Sequence, residues 1–104
     1  MKKKLRLFYC TCGNIVDSKN IAKELLKNEE IICINIIKSV ESMYKESHKI
    51  KSCQENVLII KTFLGKIKID KIIKENHPYE TPFVLELKTG NVNHEYFEWA
   101  NKKT

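Results

Sequence analysis

Two cysteines near the start of the chain have a spacing that suits metal binding. Cys10 and Cys12 stand two residues apart in "FYCTCG". On a β-strand this spacing directs both thiols to the same face, and soft thiolates are ligands that Cu(I) prefers. Free cysteine is also one of the most buried residue types, and the pair lacks the second cysteine pair of a zinc motif. The sequence predicts Cys10 as a metal ligand and leaves open whether both cysteines bind metal or belong to the core.

A further candidate segment is "HPYETP", residues 77–82, which contains both prolines of the chain. The residue before a proline is driven out of helical geometry, so Pro78 ends the preceding helix and the segment is extended. Pro82 lacks an amide hydrogen and is tolerated at the first position of a strand. The segment, called the strap below, is predicted to be a stiff connector that holds Tyr79 and Glu80 in set directions.

The histidine of the strap allows two interpretations. As a neutral imidazole, His77 binds Cu(II) or Zn(II), together with Cys10 if the first strand ends nearby. As a lone histidine at a helix end, it caps the helix, where its charge suits the helix dipole. The first interpretation predicts a site for copper or another divalent transition metal at Cys10 and His77, with no obligatory cofactor.

Periodicity along the chain predicts the elements that position these residues. The predicted order is β-α-β-β-α-β followed by a helix. This is the ferredoxin-like split βαβ arrangement of the α+β class, in which two helices cover one face of a four-stranded antiparallel sheet. Strands are predicted at 5–12, 31–37, 55–63 and 83–88, and helices within 17–30, 66–76 and 94–103, the first of them capped by Asp17 or Ser18.

The apolar patterns of two strands predict how they are buried. Residues 31–37 are apolar almost throughout, which predicts a central strand buried on both faces, with Cys33 in the core. The third strand has a similar composition and is also predicted to be central. Residues 83–88 alternate, which predicts a half-buried strand with Phe83 and Leu85 on its apolar side.

The segment between the two apolar strands is far longer than a hairpin loop. Residues 38–56 make a connection of 19 residues, and a weak two-residue alternation continues through it. Hairpin loops usually have about 2–5 residues. Both strands are therefore predicted to run past the sheet as a long hairpin arm that pairs with a neighbouring chain. The sheet face without helices is predicted to be buried by another subunit, because apolar surface of that size marks an interface.

Composition restricts the function classes. The chain of 104 residues has the length of a single domain, 1–104, and carries a formal charge of +6 from scattered lysines, with Arg6 as its only arginine. This pattern argues against a nucleic-acid partner. Arg6 interrupts the first apolar run, so a strand is predicted there in place of a signal peptide, and no run suffices to span a membrane. We expect reduced cysteines and a cytoplasmic location.

Catalytic motifs are absent from the sequence. It has no Gly-rich phosphate loop, no fixed carboxylate pair and no nucleophile with a base, so we expect no enzyme. Two binding modules share the predicted strand order. An RNA-recognition domain would stack bases on Phe8 or Tyr9, but the third strand lacks the matching aromatic pattern. A copper chaperone domain would need a Cys-x-x-Cys loop, which Cys10-Thr11-Cys12 does not match.

The strap and several other motifs resemble the CutA family of divalent ion tolerance proteins over nearly the whole chain. "HPYETP" is similar to the signature strap of that family. The other residues that carry the resemblance are Cys10-Thr11 after the first strand, Cys33 and Asn35 in the second, Ser42, Tyr44 and Lys49 in the arm, "VLIIKT" in the third strand, and Gly90, Tyr96 and Trp99 near the C-terminus. The arm departs from the family pattern at Glu46 and His48, and Asn76 replaces a potential ligand beside His77.

The resemblance implies a non-enzymatic homotrimer in which hairpin arms cross to neighbouring subunits. It also implies a link to tolerance of copper and other divalent ions, with metal binding as the expected activity. On this basis Tyr79, Glu80, Tyr44 and Trp99 are expected at the trimer interface or at a cleft between chains. The alternative is a trimeric scaffold or small-ligand signalling module without a metal role, and the protein partner is unknown.

Overall fold

The computed structural model describes residues 3–104, and its elements confirm the predicted α+β class. Met1 and Lys2, at the start of the predicted domain, lie outside the described residues. All strand pairs are antiparallel, and the bounds of the last two helices agree with the prediction. The elements are β1 Arg6–Cys12, α1 Ile15–Leu26, β2 Ile31–Glu46, β3 Lys49–Thr62, α2 Lys66–Asn76, β4 Val84–Leu87 and α3 His94–Lys103.

The order of the strands in the sheet corrects one prediction. The sheet runs β2-β3-β1-β4, so β1 and β3 are central and β2 is an edge strand. Past its buried start, β2 packs Ile34 and Ile36 against the core, while Asn35 is exposed and Ile37 is 49% exposed. The prediction that this strand is central and buried on both faces is therefore wrong for a single chain. Its continuous apolar run is typical of a central strand because both faces of such a strand are covered.

The helices α1 and α2 both cover the same face of the sheet. On that face, which we call the covered face, β1 and β3 direct Phe8, Cys10, Leu58 and Ile60 into a fully buried core with α1 and α2. The core cluster also contains Cys12, Ile21, Leu25, Ile31, Leu64, Ile69 and Ile73. Side chains on a strand alternate between faces, so the residues between these point the other way.

The opposite face is largely uncovered in one chain. This open face consists of Leu7, Tyr9, Ile37, Ile59 and Leu85, and the register places Tyr9 beside both Ile59 and Leu85. α3 packs across one end of it, where Ala100 joins a second small cluster. Along the rest of the face, Leu7, Tyr9 and Ile59 are half-buried, and Ile37 and Leu85 are 49% and 46% exposed.

The predicted hairpin arm is confirmed. β2 and β3 continue to pair from Val40↔Glu55 out to Glu46↔Lys49, and the molecule extends 48 Å along its longest axis. The arm ends in a tight turn at Ser47 and His48, whose φ values are 50 and 66 degrees. Positive φ at both central residues of a two-residue loop is the backbone of a type I′ hairpin turn.

Two local predictions, the cap of α1 and the burial of Cys33, are corrected. α1 begins at Ile15 and its cap is Asn14, whose side-chain oxygen accepts a 2.8 Å hydrogen bond from the Asp17 amide, so the predicted caps Asp17 and Ser18 lie inside the helix. Asparagine is among the best N-cap residues because its side chain reaches the unpaired amides of the first turn. Cys33 is only half-buried, against the second cluster beneath α3, because it belongs to an edge strand.

β4 buries the opposite side from the one predicted. Val84 packs against the main core, while Phe83 and Leu85 are 51% and 46% exposed. The strand begins at Val84, two residues after Pro82, and pairs with β1 alone. The side chains of this strand alternate as predicted. However, the side that contains Val84 faces the core under the helices, and the more apolar side, with Phe83 and Leu85, faces the open face.

Candidate functional site

The strap crosses the end of β1 and fixes the ring of His77. His77 Nε2 lies 2.7 Å from the Thr11 carbonyl oxygen, and His77 Nδ1 accepts a 3.0 Å hydrogen bond from the Tyr79 amide. Because a carbonyl only accepts and an amide only donates, these contacts require a neutral ring with its proton on Nε2. The side chain is 8% exposed. Both nitrogens of the imidazole are therefore engaged within the chain.

Tyr79 ties the strap to the base of the arm. Its hydroxyl donates a 2.9 Å hydrogen bond to Glu55 Oε2, and its ring lies 4.6 Å from that of His77. A Cβ at Gly13 would approach the Tyr79 hydroxyl to 3.0 Å, so glycine leaves room for this ring. Burial, followed by the bond to Glu55, raises the pKa of Tyr79 to about 12. Tyr79 thus remains a hydrogen-bond donor at physiological pH.

A chain of three hydrogen bonds, one of them buried and two partly buried, connects the arm to the start of α1. The Ser39 amide donates to Asn56 Oδ1 at 3.1 Å, and Asn56 Nδ2 donates to Ser18 Oγ at 3.2 Å. Ser18 Oγ in turn donates to the Asn14 carbonyl at 2.6 Å. Ser39 has a φ of 59 degrees where β2 shifts register against β3, which is a β-bulge, and bulges bend the strand that contains them.

Glu55 and Asn56 carry no recognisable motif, and their roles at the strap and arm base were not predicted. The one signal in the sequence is that two polar residues precede the apolar run "VLII" of β3. A polar residue that the fold buries must find hydrogen-bond partners, which points to a network without naming its members. A cavity of about 350 Å³ lies beside them, between the arm base and the start of α1.

Cys10 and Cys12 lie in the main core. Both are 0% exposed, and Cys10 Sγ contacts the Thr11 carbonyl oxygen at 3.6 Å. Burial, with further contributions from Cys12 and Glu55, raises the pKa of the Cys10 thiol to about 12. The thiolate is the form of cysteine that binds metal. Cys10 therefore stays protonated and weakly reactive in the folded chain at physiological pH.

The structure brings both predicted ligands to the same backbone oxygen, yet their present geometry does not fit a metal ion. His77 and Cys10 each contact the Thr11 carbonyl. Coordination would require His77 to release one hydrogen bond and Cys10 to lose its proton. In residues 3–104, no group of three or more His, Cys, Asp or Glu side chains is arranged to hold a metal ion. Cys10 and His77 therefore remain predicted metal ligands, and metal binding would require both of these changes.

The residues predicted for an interface or cleft are spread over one chain. Tyr79 and the exposed Glu80 lie on the strap, and Tyr44 is 43% exposed on the arm. Trp99 is 48% exposed on α3, beyond the opposite end of β1. A single chain therefore does not bring them together. Phe8, proposed as a base-stacking residue, is 0% exposed in the core, which removes it as a platform for RNA.

The fold and the strap together define the class of protein. They combine a four-stranded antiparallel sheet covered by two helices on one face, a long hairpin arm, and a double-proline connector bonded to the end of β1. A family model described as the CutA1 divalent ion tolerance protein matches residues 6–103. The chain belongs to the CutA1 divalent ion tolerance family, as the resemblance predicted.

Individual relatives agree with this assignment. "Divalent-cation tolerance protein CutA" of Thermococcus kodakarensis is 33% identical over 94 residues, covering 89% of this chain and 89% of the relative. "Protein CutA, chloroplastic" of Arabidopsis thaliana is 30% identical over 97 residues, covering 92% of this chain and 53% of the relative.

Solved structures show the same fold. The crystal structure of the divalent ion tolerance protein CutA1 from Ehrlichia chaffeensis superposes with a TM-score of 0.88 at 28% identity, covering 98% of this chain and 96% of that one. The chain spans only 53% to 62% of the length of the plant and frog curated relatives that it matches. In residues 3–104, no helix has the length and apolar character needed to cross a membrane.

Proposed function

We propose that the chain acts as a homotrimer in the tolerance of divalent cations, copper among them, in the cytoplasm and without enzymatic chemistry. The observation that carries the proposal is the open face, whose apolar residues are only partly covered within one chain. The family description supports the link to divalent ions. The cytoplasmic location rests on the sequence alone, and the Arabidopsis relative is named as chloroplastic.

The exposed apolar side chains favour assembly over an isolated chain. Ile37 and Leu85, at opposite edges of the open face, are 49% and 46% exposed, and Met43 and Ile50 on the arm are 69% and 72% exposed. Burying apolar surface contributes roughly 25 cal/mol per Å². Partner copies that cover the face and pair with the arm would therefore stabilise an oligomer. The number of three chains comes from the family resemblance.

Weak binding of copper or another transition metal by Cys10 and His77 forms the second part of the proposal. The two side chains approach the same oxygen, and the hydrogen bond between His77 Nε2 and the Thr11 carbonyl can exchange for a metal bond. Deprotonation of a thiol whose pKa is about 12 opposes binding at neutral pH. The affinity is accordingly expected to rise with pH.

A trimeric scaffold or small-ligand signalling module is the second candidate. It is favoured by the contacts of His77, because both ring nitrogens already have partners inside the chain. In this function the strap has a structural role, and the assembled trimer binds a small molecule or an unidentified protein.

Native mass spectrometry of the reduced protein, with and without stoichiometric copper and zinc, tests both functions in one experiment. We expect a trimer that takes up one metal per chain. Cys10→Ser and His77→Ala should lose the metal, whereas the exposed thiol and histidine variants Cys53→Ser and His94→Ala should keep it.

The outcomes separate the parts of the proposal. A trimer that binds no metal would contradict the metal site and favour the scaffold. Metal uptake that survives in His77→Ala but disappears in His94→Ala would move the site to the surface of α3. A monomer at micromolar concentration would contradict the assembly on which both functions rest.

A further inference from the structure

A cavity at the α3 end of the open face has the lining of a binding site for a small anion. The cavity has a volume of about 420 Å³ and lies between β1, the loop 89–93 and the first turns of α3. Its volume falls within the range of roughly 300–1,000 Å³ that is typical of small-molecule sites. None of the strap or arm residues lines it. It is therefore separate from the predicted metal site.

The charged residues of this α3 cavity are both basic. Lys61 and Lys88 line it, and no aspartate or glutamate does. Among the described residues, neither lysine has a carboxylate within salt-bridge distance. Glu86, the acidic residue nearest in sequence to Lys88, lines a neighbouring surface pocket together with Lys88, and its carboxylate is bonded to Arg6 at 2.7 Å. The positive charge of the two lysines is thus not neutralised within the chain.

The rest of the lining is apolar or uncharged. Leu5 and Leu7 are half-buried, and the register pairs Leu7 with Lys61 on β3. The Lys61 ammonium lies 5.7 Å from the centre of the Tyr96 ring, so the stem of the lysine and the tyrosine flank the cavity together. Asn93 contributes an amide, which contacts Glu95 outside the cavity at 3.5 Å.

We propose that the α3 cavity binds a small organic anion with a phosphate or carboxylate head group and an apolar body about the size of one ring. The head group pairs with Lys61 and Lys88, because charge-assisted hydrogen bonds to ammonium groups are the strong polar contacts available there. The apolar body packs on Leu5 and Leu7. This inference goes beyond divalent ion tolerance, and it rests on the proposed function in one respect: partner copies that cover the open face must leave its α3 end, which includes Leu7, accessible.

The test uses NMR titration of the full chain labelled with ¹⁵N. Phenyl phosphate and benzoate represent the two head groups on one apolar body, inorganic phosphate lacks the body, and benzyl alcohol lacks the charge. Phenyl phosphate is expected to shift the amides of Leu7, of the loop 89–93 and of Tyr96 in a saturable manner. Inorganic phosphate and benzyl alcohol should each bind at least tenfold more weakly. Inorganic phosphate cannot pack on Leu5 and Leu7, and benzyl alcohol has no charge to pair with the lysines. Comparing phenyl phosphate with benzoate identifies the preferred head group.

Matched lysine variants separate a site from general attraction to a basic protein. The double variant Lys61→Gln with Lys88→Gln should weaken phenyl phosphate binding at least tenfold. The variant Lys102→Gln with Lys103→Gln removes the same charge from the exposed end of α3 and should bind as the parent does. Equal losses in both variants, or shifts that spread over the whole surface without saturation, would overturn the proposal. Folding of each variant is checked by the dispersion of its own spectrum.

Discussion

The two faces of the sheet are built from alternating residues of the same strands, yet one chain completes only one of them. In β3, Ile60 is 0% exposed beneath the helices, while its neighbour Ile59 points to the open face and is half-buried. In β1 the same contrast separates Phe8 from Tyr9. Both faces are apolar, so the chain encodes more apolar surface than its own helices cover. The two faces therefore differ in what covers them within one chain rather than in apolar composition.

Polar groups sharpen the contrast. On the covered face, Thr62 is 0% exposed, and its hydroxyl donates to the Glu30 carbonyl and accepts from the Leu64 amide, both at 2.9 Å. On the open face, Asn35 is exposed, and Lys61 has a ring rather than a carboxylate beside it. Buried polar groups need hydrogen-bond partners inside the protein, whereas polar groups that reach solvent can bond to water.

The largest expected effect compares two neighbouring isoleucines. Ile60→Ala opens a cavity in the closed core and should lower the free energy of unfolding by about 2–5 kcal/mol. Ile59→Ala should cost less than half of that in dilute protein, because its side chain is already partly in water. Urea denaturation at two protein concentrations measures both. Equal losses at the lower concentration would show that the two faces are equally buried in the single chain.

The periodicity of apolar residues was sufficient to predict the helices and strands, but it did not predict the order of the strands in the sheet. α2 and α3 follow directly from apolar spacing, and the length of residues 38–56 is enough to predict the arm. The position of β2 at the edge was missed, because an apolar run looks the same whether another strand or another chain covers it. The strap was predicted as a rigid segment, since proline acts locally.

The contacts of the candidate site were harder to predict. The partners of His77 and Tyr79 are Thr11 and Glu55, which lie 66 and 24 residues away in sequence. No local pattern encodes such pairs, because they arise only when β1, β3 and the strap meet. The burial of Cys10 could be expected from its position in a strand. The hydrogen bonds of both His77 nitrogens could not, because they depend on how the strap lies against β1.

The second largest loss of stability is expected from breaking the hydrogen-bond chain that joins Ser39, Asn56 and Ser18 at the base of the arm. Asn56→Ala removes the acceptor of the Ser39 amide and the donor to Ser18, and should cost about 1–3 kcal/mol because buried groups lose partners. It should also speed amide hydrogen exchange at the arm base. Gln54→Ala, at an exposed neighbouring position, is the control. Unchanged exchange at Ser39 in the Asn56 variant would show that this network does not hold the arm.

High pH should destabilise the covered face through Cys10. Burial raises the pKa of the folded thiol to about 12, from an ordinary value of 9.0. Between these values the unfolded chain releases a proton that the folded chain keeps, so the free energy of unfolding falls as pH rises, by at most about 1.4 kcal/mol per pH unit. Below pH 9 this group contributes no slope. Denaturation from pH 8 to 10.5 measures the slope, which Cys10→Ala should reduce; an identical slope in that variant would assign the effect to other groups.

The smallest effect in a single chain is expected on the open face, where Phe83 packs edge-on against Tyr9 with ring centres 6.0 Å apart. Such pairs contribute about 0.5–1.5 kcal/mol. Phe83 is 51% exposed, so Phe83→Ala should cost less than about 1 kcal/mol in dilute protein.

If partner copies cover the face, the loss should grow with protein concentration, because the variant then weakens assembly as well as folding. Ile67→Ala, at a position 87% exposed on α2, should show no such dependence. A concentration-independent loss for Phe83→Ala would mean that the open face remains uncovered, and the contrast between the two faces would then be a property of the finished protein.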